Sequence, residues 1–156
     1  ASGKTPFVLA AVEYASKQGA ATIGLACNYS SLLTDCVDVG ILISVGAEVL
    51  ADSTRLKAGT AQKMVLNMLS TATMILMGKV YQNRMVDLQV NNKKLLKRAL
   101  EMVTDLGEIS SETAYKLLTE SGNHVKTAVV MAKLDINAKE AKQRLRTVDG
   151  KLNEII

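Results

Sequence analysis

The chain has 156 residues, 48% of them hydrophobic, enough for one domain with a sizeable core and a small satellite. Its net charge of +4 comes with only 3% aromatic residues and no Trp, which excludes a nucleic-acid surface built on stacking side chains. Cys27 and Cys36 have neither the number for a disulfide framework nor metal-site spacing, so both read as buried small hydrophobes in a reducing cytoplasm.

Ala1 is not a natural start, and Ser2-Gly3-Lys4-Thr5-Pro6 leads directly into an apolar-periodic helix. A loop in that position normally receives a strand, so the chain reads as part of a longer one. No basic start followed by an apolar run marks a secretory signal. Gly3-Lys4-Thr5 admits two phosphate readings. It could end a P-loop, but Pro6 follows at once and neither later strand ends in a metal-binding Asp. The other reading is a hydroxyl-rich loop that holds a sugar phosphate at a helix N-terminus. A plain helix start with Pro near its first position fits as well.

Thr5 to about Gln18 predicts a helix closed by Gly19. Ala21–Cys27 predicts a buried parallel strand, Leu32–Val37 a helical turn, and Asp38–Val45 a second buried strand. Helix, strand, short helix, strand and long helix is the order of an α/β doubly wound unit. In such sheets ligands bind beyond the carboxyl ends of the strands, where Asn28 and Glu48 fall.

A long helix is expected from about Thr54 to Met77, capped by Ser53 or Thr54. Arg55 and Lys57 sit in its first turn, against the preference for acidic residues there, which calls for an anion nearby. Met64–Gly78 is uncharged over 15 residues, short of the ~20 needed to span a bilayer, and predicts a buried helix. Half a sheet and an apolar helix also predict that this chain alone is unstable or associated. Residues 79–156 carry fourteen basic and ten acidic groups, and so the whole net charge; Lys93–Arg98 reads as a solvated helix face. Tyr81–Gln89 is a connector. Helices follow at about Asn92–Asp105, from a Ser110 or Ser111 cap to Glu120, at His124–Leu134, and from an Asn137 cap to Thr147, with a short one after Gly150. His124 is the only histidine, and no neighbouring carboxylate or Cys orients it in sequence. No G-x-S-x-G, H-E-x-x-H or CxxC motif is present.

Gly46, Glu48-Val49-Leu50 and Ser53 through Lys63 closely resemble the signature of N-acetylmuramic acid 6-phosphate etherases. That family shares the motif with the glucokinase regulatory protein, and both carry sugar isomerase (SIS) domains. Residues 1–6 resemble the family's ASGRTP loop with Lys4 in place of Arg, which keeps the charge and loses the bidentate fork. Met85-Val86-Asp87, Asn91-Asn92 and Lys94-Leu95 echo its NLMVD…TNEKL segment, and Ser111–Leu134 resembles a ubiquitin-associated three-helix unit. The family pattern has Pro at Ala47 and Thr-Gly at Ala51-Asp52.

The resemblance implies a partial SIS-type doubly wound domain over residues 1–90 and a helical subdomain over 91–156. It implies release of D-lactate from N-acetylmuramic acid 6-phosphate by elimination and then addition of water, without metal or organic cofactor, in a cytoplasmic homodimer. The sugar-phosphate contacts would fall on Ser2, Gly3, Lys4, Thr5, Glu48, Ser53, Arg55 and Lys57. The family's catalytic glutamates lie upstream of Ala1, leaving Glu48 as the candidate base present. A non-catalytic sugar-phosphate regulator would share Glu48, Ser53, Arg55 and Lys57, and in a SIS aldose–ketose isomerase a loop Glu preceding an S-T-x motif serves as base.

Overall fold

A computed structural model describes all 156 residues, which divide into two units, Ala1–Ser70 and Thr71–Ile156. The chain is mixed helix and sheet, as the periodicity predicts. In the first unit α1 (Pro6–Lys17) is followed by β1 (Ile23–Ala26), α2 (Leu32–Asp35) and β2 (Val39–Leu42), and α3 (Lys57–Leu76) runs on into the second. β1 and β2 pair in parallel, Ile23 opposite Val39 and Ala26 opposite Leu42.

Their register is set by side-chain chemistry at the entry to the strands. The Thr22 amide and hydroxyl both donate to Asp38 Oδ2, at 2.7 and 2.8 Å, and the Asp38 amide donates back to Thr22 Oγ1 at 3.1 Å. The hydrogen bond from the Thr22 hydroxyl, joined by the Thr22 amide, holds the Asp38 carboxyl below the usual carboxylate range. Gly40 lets α2 lie directly on β2, for a Cβ there would meet the Thr34 carbonyl oxygen at 2.7 Å.

Three expectations of burial are corrected, the first being that Cys36 is exposed and Cys27 only half-buried. β1 buries Gly24 and Ala26, but Ile23, Val39 and Leu42 are exposed. α3 buries only Ala58, leaving Met64, Leu66, Met68 and Ile75 in solvent. Apolar composition makes burial favourable, but burial also requires covering elements, and two short strands with two helices do not supply them. No helix is long and apolar enough to cross a membrane.

The second unit holds the continuous core. The segment expected as a connector contains a two-stranded hairpin, β3 (Val80–Tyr81) and β4 (Arg84–Met85), turning through Gln82 at φ 52°. Four helices follow: α4 (Lys93–Gly107), α5 (Ser111–Glu120), α6 (Val125–Leu134) and α7 (Ala138–Thr147). Ser110 and Asn137 cap α5 and α7 with side-chain oxygens, as the sequence signals predict, and Asn92, expected as the first helical residue, caps α4 in the same way. A 3-10 turn at Leu152–Glu154 closes the chain. Val103, Leu118, Val125, Val129, Val130 and Leu152 are all but fully buried, with Tyr81, Leu88 and Val90 packed against them. Val86 belongs to the same core, so the segment around the hairpin packs with the helices.

One charged group lies inside this unit. The Lys126 side chain is 7% exposed; its ammonium donates to the Gly150 carbonyl at 3.0 Å and the Gly78 carbonyl at 3.4 Å, with Asp87 Oδ1 at 3.7 Å. Lys79 approaches the other oxygen of Asp87 at 3.1 Å. Burial pushes the Asp87 carboxyl up, but the Lys79 hydrogen bond and the charges of Lys126, Lys79 and His124 outweigh it and hold the group low. A carboxyl depressed in the fold stabilises above its unfolded pKa of about 4 and loses that contribution as pH falls through the folded value.

Replacing Lys126 with Met strands two carbonyls and weakens the pairing of Asp87. The expected loss is about 3 kcal/mol, read from urea unfolding of the second unit by amide exchange of Val129 and Val130. In the wild type the same amides should lose protection on acidification below about pH 4.

Candidate functional site

The sequence-predicted residues fall on two loops of the first unit, both at the carboxyl ends of the parallel strands. Residues 1–5 form the first loop. The Ala1 carbonyl accepts from the Cys27 amide at 2.8 Å, just past β1, and the Gly3 carbonyl accepts from the Leu33 amide at 3.0 Å in α2. Gly3 is buried at φ 70°. A Cβ on it would lie 2.0 Å from Ser31 Oγ, the atom that caps α2 by accepting from the Thr34 amide. Only glycine combines that backbone with that approach. Ser2 Oγ accepts from the Lys4 amide at 3.4 Å, while Lys4 and Thr5 are exposed. Thr5 is the N-cap residue of α1 without a side-chain cap bond, and Pro6 opens the helix. The hydroxyl of Thr5 and the ammonium of Lys4 are therefore presented to solvent at a helix N-terminus.

The second loop runs from Gly46 to Leu56. α3 begins at Lys57, and its cap comes from a distance: Glu48 Oε2 accepts from the Lys57 amide at 3.0 Å and Oε1 from the Ala58 amide at 2.9 Å. Glu48 thus does the work expected of Ser53 or Thr54. The Ala58 amide is the main cause of a lowered Glu48 pKa, joined by the amide and charge of Lys57 and opposed by burial. This carboxylate answers the call for an anion at a helix start that carries Arg55 and Lys57. Arg55 and Lys57 are exposed and Ser53 is half-buried. Asp52, where the family pattern has Gly, adopts φ 61°. The left-handed backbone explains the glycine, and Asp is among the few side chains that tolerate it.

Cys27 brings the two loops together, a role its sequence context did not signal. Its amide holds Ala1, and its thiol donates to the Ala58 carbonyl at 3.7 Å. The Ala58 peptide is thereby held from both sides, by Glu48 at its amide and Cys27 at its carbonyl. Cys27, just past β1, is thus bonded to the first loop at Ala1 and to the start of α3 at Ala58. Asn28, the other strand-end residue, is engaged locally, its Oδ1 accepting from the Ser30 amide at 3.1 Å. The only histidine lies in the other unit, at the start of α6.

The chain is similar to bacterial proteins named N-acetylmuramic acid 6-phosphate etherase. It is 47% identical over 156 residues to that of Bacillus licheniformis (etherase 1), matching 100% of this chain and 51% of the relative. It is 48% identical over 150 residues to that of Geobacillus thermodenitrificans, covering 96% and 51%, and 46% identical over 156 residues to that of Bacillus subtilis, covering 100% and 51%. It therefore spans about half the length of these relatives. Residues 82–124 match the model of the C-terminal lid domain of glucokinase regulatory protein.

Gly3→Ala should cost about 2 kcal/mol or more, from the left-handed backbone and the contact with Ser31, measured by thermal unfolding. Asp52→Gly should be neutral to stabilising by the same measurement, because it relieves a Cβ at positive φ. Glu48→Gln should accelerate hydrogen exchange at Lys57 and Ala58 roughly tenfold. Since the Glu48 pKa is lowered in the fold, the wild-type cap holds above its unfolded pKa and fades as pH falls through the folded value.

Proposed function

Because the chain belongs to the N-acetylmuramic acid 6-phosphate etherase family, we propose that it is the sugar-phosphate-binding half of an enzyme that converts N-acetylmuramic acid 6-phosphate to N-acetylglucosamine 6-phosphate and D-lactate. In this reading β1 and β2 are part of a SIS-type doubly wound sheet completed by sequence outside these residues. The exposed faces of α3 and of the strand pair are then covered by that sequence or by a second subunit. The setting is cytoplasmic recycling of cell-wall sugar.

The observation that supports the reading is that Cys27 is bonded both to Ala1 of the first loop and to Ala58 in the first turn of α3, next in sequence to Ser2, Lys4 and Thr5 on one side and to Arg55 and Lys57 on the other. Hydroxyls and cations at such a place suit a phosphate monoester. Elimination of the lactyl ether requires removal of a proton beside the carbonyl of the opened sugar. Glu48 is poorly suited to that task, since both its oxygens are bound to backbone amides and its basicity is reduced. Its role here is to fix the first turn of α3, from which Arg55 and Lys57 project. The acid and base are assigned to the longer protein, so this chain alone binds without turnover.

The lid-domain match over residues 82–124 favours a second reading, a non-catalytic sugar-phosphate regulator. Assaying D-lactate release from N-acetylmuramic acid 6-phosphate separates the two. Release by the longer protein and none by the 156-residue chain is expected. Release by this chain alone would return Glu48 as base, and silence from both would favour the regulator. In the longer protein, Ser2→Ala and Arg55→Ala should each weaken sugar-phosphate binding about tenfold or more by calorimetry; unchanged affinity in both would remove these loops from the site.

A further inference from the structure

The second unit contains a cleft of about 690 Å³, walled by the Ser121–Gly122 turn, the first turn of α6, one face of α7 and the Asp149–Gly150 turn. That volume lies within the range of small-molecule sites, about 300–1,000 Å³. Its charged lining comprises Asp87, His124, Lys126, Lys142, Arg146 and Asp149.

The charges are unbalanced. Asp87 is already matched by Lys79 and Lys126. Lys142 and Arg146 are exposed one turn apart on α7, and neither enters an ion pair with the acidic groups of the chain. Asp149 is the one carboxylate left on the rim. Like charges at i and i+4 on a helix repel. The helix dipole favours Arg146 in the last turn but gives Lys142, in the middle of α7, no such support. Two uncompensated cations facing a ligand-sized cleft suit a dianion, and the arginine fork beside a lysine point charge matches a phosphate monoester better than a single carboxylate.

His124 stands beside them. Its Nδ1 accepts from the Thr127 amide at 3.3 Å, capping α6, and its Nε2 lies 3.7 Å from Asp87 Oδ1. The Thr127 hydroxyl lies closer to the same nitrogen, at 2.6 Å, so Thr127 anchors the ring on its Nδ1 side while Nε2 faces Asp87.

We propose that this cleft binds the phosphate of a small phosphorylated molecule through Lys142 and Arg146, with His124 as the adjoining group that registers the bound charge. The site is separate from the loops around Cys27, and its test is independent of lactate release. Because His124 is the only histidine, its imidazole NMR signals in the 156-residue chain report on the cleft without ambiguity. Glucose 6-phosphate and inorganic phosphate are titrated in turn, following those signals and the imidazole pKa.

Saturable shifts with glucose 6-phosphate are expected, with the imidazole pKa moving upward because a nearby dianion stabilises the imidazolium. Lys142→Gln and Arg146→Gln should each weaken the effect about tenfold, while Lys116→Gln on α5 leaves it unchanged. Both target side chains are exposed, so the fold is retained, which unchanged Val129 and Val130 amide shifts would verify. Equal affinity for inorganic phosphate would support the site with free phosphate as its ligand. No saturable shift with either compound, or the same shift in both variants, would overturn it.

Discussion

One buried ammonium group fixes the ends of the second unit to its central helix. Lys126 reaches from the first turn of α6 to carbonyls at Gly78, ahead of the hairpin, and at Gly150, after the last long helix, and meets Asp87 between them. Both flanks of the hairpin and the turn at Gly150 are thereby fixed to one point on α6. Such a group is tolerable inside a core only when its donors are satisfied, and here two carbonyls and a carboxylate share that task. The apolar contacts of Val103, Val129 and Leu152 supply most of the stabilisation, but they are non-directional. The buried charge specifies where the terminal turns must sit.

The first unit relies on backbone groups in the same way. Glu48 satisfies two orphan amides of α3, Ser31 caps α2, Asp38 ties Thr22 across the strand pair, and Cys27 holds a peptide of each loop. Its apolar surface is far less completely covered. The consequence is a division of labour. Short polar contacts shape the loops that carry the proposed phosphate site, while the exposed faces of α3 and of the strand pair remain available to further sequence or subunits. Solvent-facing polar loops on a local hydrogen-bonded scaffold suit ligand binding, since their side chains stay free while their backbone is fixed.

Element order, caps and turn positions were legible in the sequence because they rest on local chemistry. Ser110 and Asn137 cap where their side chains can reach amides two or three residues on, and Gly19 and Gly122 take positive φ at the ends of α1 and α5. The loop motifs at residues 1–6 and 46–63 were equally legible, being contiguous. The structure alone decided what depends on distant partners: that Glu48 rather than Ser53 caps α3, that Cys27 joins two loops, that His124 caps α6 and faces Asp87, and that α3 stays exposed despite its composition. Periodicity reports what a residue would favour locally. Whether an apolar face finds cover, or a carboxylate finds an amide nine residues away, is settled only when the chain closes on itself.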